Sequence, residues 1–145
     1  MSEGLSFVDA ATLSCARVTA WNALFLPRKK LTAGQWALAQ DTGRVSLFAV
    51  QFAKFIGARV IATTGSPEKG KLLERLGADH MINYREAQNW GAVAKELTGG
   101  SGVVLVVEIA GSTTLRESAE SLRLDGMISV IELAGKERLK VYLPC

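Results

Sequence analysis

The segment Asp41-Thr42-Gly43-Arg44-Val45-Ser46 lies between an apolar run, Trp36-Ala37-Leu38-Ala39, and an amphipathic stretch from Val45 to Ile56. The first reads as a buried strand and the second as a helix. Where the pattern G-x-G-x-x-G opens such a helix, a pyrophosphate can rest on the outward-pointing N–H groups of its first turn. Here Gly43 holds the second glycine position, while Asp41 stands at the first and Ser46 at the third. The chemistry predicted is dinucleotide binding, with the diphosphate near Thr42, Gly43, Arg44 and Val45. Asp41 opposes it. Two unit charges ~5 Å apart repel by about 1 kcal/mol in water, and a non-glycine residue is strained if the turn needs a positive φ. Arg44 either offsets the carboxylate by contacting phosphate or pairs with Asp41 and blocks the site.

The end of the second strand bears on the type of dinucleotide. NAD sites usually carry an acid there to accept from the ribose 2′-hydroxyl. This chain has Thr63-Thr64-Gly65-Ser66, with Lys69 one helical turn on. Hydroxyls and an ammonium suit a 2′-phosphate, so NADP(H) is expected over NAD(H); Ser66 also reads as a plain helix cap and Lys69 as a solvated charge.

Three carboxylates, Asp41, Glu108 and Glu132, fall at the ends of the first, fourth and fifth strands. In a doubly wound order these strands are neighbours, and ligands bind beyond their carboxyl ends. Clustered carboxylates raise one another's pKa and can form an acid/base set. With Arg44 nearby, they would serve a cofactor-independent isomerisation, elimination or cyclisation. The plainer alternative is a set of charges around an unused cleft, in a binding or assembly module without chemistry.

The elements that must position these groups alternate. Strands are expected at 36–40, 59–64, 80–83, 103–109 and 127–133, rich enough in Val, Ile and Leu to be covered on both faces. Ser66 and Pro67 open a helix that Gly77 ends; another spans about 90–97, and a third runs from about 114 to 122 before an Asp125-Gly126 turn. Residues 7–25 hold two helices, the first capped by Ser6. The pattern predicts one α/β domain over 1–145: leading helices and a basic connector at 1–34, βα units at 35–135 and a tail at 136–145. Its sheet is parallel and doubly wound, of Rossmann type.

Composition narrows the function classes. With 48% hydrophobic residues and 21% charged, the chain is globular rather than disordered. A net charge of +3, with basic residues dispersed apart from Arg28-Lys29-Lys30, gives nucleic-acid binding little support. Cys15, Cys145 and the sole histidine, His80, form no metal-ligand spacing, so no metal is expected and His80 reads as structural. Trp21, Trp36 and Trp90 read as core or half-buried anchors. No apolar run is long enough to span a membrane and no leader is seen, so cytoplasm is the default compartment.

Several passages together resemble the cofactor domain of the medium-chain dehydrogenase/reductase superfamily, especially its zinc-independent, quinone-oxidoreductase-like branch. They are Asp9-Ala10-Ala11-Thr12-Leu13 with Thr19-Ala20-Trp21-Asn22-Ala23-Leu24, the helix from Val45 to Lys54, Gly57-Ala58-Arg59-Val60-Ile61-Ala62-Thr63, and Leu76-Gly77-Ala78-Asp79-His80-Met81-Ile82-Asn83-Tyr84. The resemblance implies an NADP(H)-binding, reductase-like domain with a small-molecule substrate. It places Tyr84 near the cofactor phosphates and the nicotinamide near Gly111, Glu132 and Leu133. Glu108 is familiar in such relatives, whereas Asp41 and Glu132 stand where glycine is usual. It also implies a separate catalytic domain preceding this one and a sixth strand following it. Their absence is expected to reflect either a fragment or a short natural product, the ending Leu139-Lys140-Val141-Tyr142-Leu143-Pro144-Cys145 favouring the second. A homo-oligomer, or a partner chain supplying the missing domain, would then cover the exposed apolar surface.

Overall fold

The computed structural model describes residues 13–131. Helix α1 (Ala16–Phe25) precedes four βα units and a final described strand: β1 (Trp36–Gln40), α2 (Arg44–Phe55), β2 (Arg59–Thr64), α3 (Pro67–Arg75), β3 (His80–Asn83), α4 (Trp90–Leu97), β4 (Val103–Glu108), a short 3-10 turn (Gly111–Thr113), α5 (Leu115–Ser121) and β5 (Leu122–Val130). All pairings are parallel and the strand order is β3-β2-β1-β4-β5. This is the expected doubly wound sheet, with the chain reversing direction of travel between β1 and β4.

Side-chain alternation divides the core between the two faces. Ala37 and Ala39, Val60 and Ala62, and Leu105 and Val107 join Ala20 and Leu24 of α1, Val50 and Ala53 of α2 and Leu73 of α3. Leu38, Ile61 and Val106 face the other way, toward Trp90 and Ala94 of α4. Every residue of β1 and β4 is buried, which accounts for their near-continuous apolar sequence.

The first three strands and α4 occupy the expected ranges. The first leading helix and its Ser6 cap lie outside the described residues, as do Glu132, Leu133 and Cys145. The β4–β5 region differs from expectation. Helix α5 stops at Ser121, and β5 starts at Leu122 instead of 127. Asp125-Gly126 is therefore a kink within a strand, not a turn before one: the register shifts between Val103 and Leu105, and Asp125 takes φ 65°. Its carboxylate pairs with Lys29, and its carbonyl accepts from the same ammonium at 2.8 Å. Among the described residues, no helix is long and apolar enough to cross a membrane.

Candidate functional site

A cleft of about 970 Å³ opens at the carboxyl ends of β1 and β4. Its walls include Gln40, Asp41, Gly43, Arg44 and Val45 on one side and Ile109, Ala110, Thr113, Thr114 and Glu117 on the other. Thr63, Tyr84, Gln88, Trp90 and Cys15 complete the rim.

The α2 N-terminus supplies the anion-facing surface. Gly43 is its N-cap, with extended backbone (φ −71°, ψ 166°); no side chain caps the helix and its first turn holds no acid. The leading N–H groups of a twelve-residue helix are thus left for a ligand. A Cβ at Gly43 would meet no protein atom within 4 Å, so the space this glycine leaves belongs to the cleft. The left-handed residue is Asp41, at φ 59°, a conformation aspartate tolerates better than most residues. Its carboxylate is exposed and, among the described residues, is met only by the Thr42 hydroxyl at 3.4 Å. No ion pair among the described residues joins Asp41 to Arg44, so both charges stay available at the cleft wall. Ser46, at the third glycine position, is fully buried, and its hydroxyl donates to the Gln40 carbonyl. The hydroxyl thereby compensates for its bulk at the helix–strand junction.

At the end of β2, Thr63 rather than Thr64 lines the cleft. The Thr64 hydroxyl donates to the Ser66 carbonyl and accepts from the Ser66 N–H, both at 3.1 Å. Ser66 caps α3 by accepting from the Lys69 N–H at 3.4 Å, a bond that leaves its own hydroxyl hydrogen uncommitted. The Lys69 side chain is exposed. Tyr84 reaches the cleft by lying over Gly65, where an added Cβ would collide with its phenol oxygen. His80 lies elsewhere, stacked on Trp36 with centroids 5.5 Å apart, as a structural histidine.

Glu108 does not join Asp41 at the cleft wall as an acid/base pair. Asp41 lines the cleft, and Glu132 lies outside the described residues. Glu108 is completely buried and accepts from five donors: the Gln40 amide (2.7 Å), the Ser118 and Thr114 hydroxyls (2.5 and 2.6 Å), and the N–H groups of Ala110 and Gly111 (3.0 Å each). A carboxylate so enclosed has no lone pair to offer a substrate. Its work is to hold the loop after β4, in which Gly111 takes φ 77°. Sequence reasoning passed over Gln40, Gln88 and Glu117 and read Trp90 only as an anchor; a polar residue ending an apolar strand, as Gln40 does, was the one available signal. Glu117 accepts from the Gly91 N–H at 3.0 Å, tying α5 to the start of α4 at the cleft floor.

The family model described as zinc-binding dehydrogenase matches residues 45–143. A zinc-type alcohol dehydrogenase-like protein of Schizosaccharomyces pombe is 43% identical over 136 residues, covering 93% of this chain and 39% of that protein. Quinone oxidoreductase-like protein 2 of Mus musculus is 35% identical over 135 residues, covering 92% of this chain and 38% of the relative. The chain thus spans about two fifths of the length of these relatives. The structure of a mycobacterial protein complexed with NADPH superposes with a TM-score of 0.88 at 30% identity, covering 98% of this chain and 44% of that one. Among the described residues, no three His, Cys, Asp or Glu side chains are grouped to hold a metal, so this part of the chain presents no zinc donor set. The match, the parallel sheet and the helix N-terminus at its crevice agree: the chain belongs to the zinc-binding dehydrogenase family, within the Rossmann cofactor-binding half of the medium-chain dehydrogenase/reductase superfamily.

Proposed function

We propose that the chain binds NADP(H) in this cleft as the cofactor half of a reductase acting on a small carbonyl or enone. The observation that carries the reading is the uncapped N-terminus of α2, whose Gly43 leaves open space above free N–H groups. The diphosphate would rest on Gly43, Arg44 and Val45, with the Arg44 guanidinium offsetting the charge of Asp41. The adenosine end would extend toward Thr63, Tyr84, Ser66 and Lys69, where no carboxylate ends β2 to favour a free 2′-hydroxyl. The nicotinamide end would lie against the loop at 109–114. NADPH in the mycobacterial relative supports this choice of cofactor. When bound, the cofactor supplies the hydride; this chain's residues hold the diphosphate and shape the wall beside the ring. In this reading, the remaining three fifths of the relatives' length, or a partner chain, supplies the substrate wall that excludes water.

Gly43→Val tests it. The backbone at Gly43 lies in a region valine adopts readily and an added Cβ meets no protein atom within 4 Å, so folding should shift by no more than about 1 kcal/mol. The branched side chain fills the phosphate space, and NADPH affinity should fall at least roughly tenfold. Undiminished NADPH binding by this variant would overturn the reading.

A further inference from the structure

Gln40 ends β1 one residue before the altered turn, and only 3% of it reaches solvent. Its Nε2 donates to Glu108 Oε2 and to Ser118 Oγ, each at 2.7 Å, while its Oε1 accepts from the Ile109 N–H at 3.2 Å. The amide has a single satisfactory orientation. Turned over, it would set its NH₂ against the Ile109 N–H and its oxygen against a carboxylate. Ser118 donates in turn to Glu108 Oε2, closing a triangle of three side chains. From there Glu108 Oε1 gathers Ala110, Gly111 and Thr114. On the opposite side, the Ser46 hydroxyl holds the Gln40 carbonyl. One chain of hydrogen bonds therefore runs from the first turn of α2, through the end of β1, to the loop after β4 and into α5.

We propose that Gln40 is a positioning residue that fixes the 109–114 loop relative to the N-terminus of α2. The two walls of the cleft are then set before a dinucleotide arrives, and less ordering remains to be done on binding. The consequence for binding rests on the NADP(H) reading; the brace itself is open to test without any cofactor.

The geometry supplies an isosteric test. Gln40→Glu alone puts two carboxylates face to face across 2.7 Å, and Glu108→Gln alone puts two NH₂ groups face to face or turns one against an N–H donor. The double variant Gln40→Glu/Glu108→Gln restores every bond with its polarity reversed. The amide introduced at position 108 would donate to the carboxylate introduced at position 40 and to Ser118, whose hydroxyl would donate to that same carboxylate. The Ile109 N–H would keep a carboxylate acceptor, and the amide oxygen at position 108 would keep Ala110, Gly111 and Thr114.

Amide exchange of the full 145-residue chain, without cofactor, reads the loop directly. Each single variant should accelerate exchange at Ile109, Ala110 and Gly111 by roughly tenfold or more, as expected for lost buried hydrogen bonds. The double variant should return to near the wild-type rate, and NADPH affinity should follow the same order. The milder Gln40→Met, which spares the donors on Glu108 from other residues, should loosen Ile109 first. Should the single variants fail to fold while the double variant folds, the brace is supported. Unchanged exchange at residues 109–111 in folded Gln40→Met, or a double variant no better than the worse single one, would overturn the proposal. Restored exchange in a chain whose wild type does not bind NADPH would remove the cofactor reading and leave the brace standing.

Discussion

The two loops that face each other across the cleft are built in opposite ways. After β1, the turn presents Asp41 and Arg44 as exposed charges without an ion-pair partner among the described residues, and the backbone accommodates Asp41 at φ 59°. After β4, the loop is organised around one buried carboxylate with five donors. The difference shows where this fold can vary. An exposed substitution usually changes stability by only a few tenths of a kcal/mol, whereas a buried donor left without its acceptor costs about 1–3 kcal/mol. The first loop can therefore change its ligand chemistry while the second keeps the cleft in shape.

The largest effect that could break this comparison is at Glu108. Glu108→Ala removes the shared acceptor of Gln40, Ala110, Gly111, Thr114 and Ser118, and should cost about 3 kcal/mol or more in urea unfolding. A near-neutral result would make the enclosed network dispensable and erase the contrast between the loops.

Asp41→Gly sharpens the other side. It removes a repelling charge beside the α2 N-terminus and frees a left-handed backbone position. NADPH affinity should rise by roughly fivefold, about 1 kcal/mol, with stability little changed. A weaker site in the glycine variant would mean that the carboxylate serves the ligand instead of opposing it.

The smallest effect lies at the far ends of the strands. Burial alone would push the Asp79 carboxyl up, but the Lys54 ammonium at 2.8 Å and the Val60 N–H at 2.7 Å outweigh it and hold its pKa below the ordinary value of 3.8. Because the folded pKa is the lower one, this contribution is complete above 3.8 and is lost as pH falls through the folded value. Asp79→Asn should slightly flatten the acid limb of the stability curve and leave NADPH affinity unchanged. An altered affinity would mean that distant strand ends influence the cleft, contrary to a site defined by its two loops.

Much of the scaffold was legible because burial and punctuation act locally. The runs at 36–40, 59–64 and 80–83 carry their own apolar signal, and Ser66-Pro67 with Gly77, at φ 100°, bound α3. What escaped depends on partners distant in sequence. Asp125-Gly126 looks like a turn until β4 is placed beside it. Glu108 looks like a candidate acid or base because its charge is visible in the sequence, while Gln40, 68 residues away, is not visibly its partner. Gly91 carries no turn signal; its role emerges only where a Cβ would collide with the Glu117 carbonyl oxygen, so that α4 and α5 can meet. The altered glycine turn, by contrast, was legible as an altered site because its chemistry is carried by adjacent residues.

Calorimetric titration of the chain with NADPH, with NADH in parallel, tests the central claim most directly. Micromolar NADPH binding, with NADH weaker by roughly tenfold, is the predicted result, since no carboxylate ends β2 and the α2 N-terminus is free. An absence of heat with either cofactor at millimolar concentration would contradict it, and would mean that Asp41 and Arg44 have closed the cleft to dinucleotides.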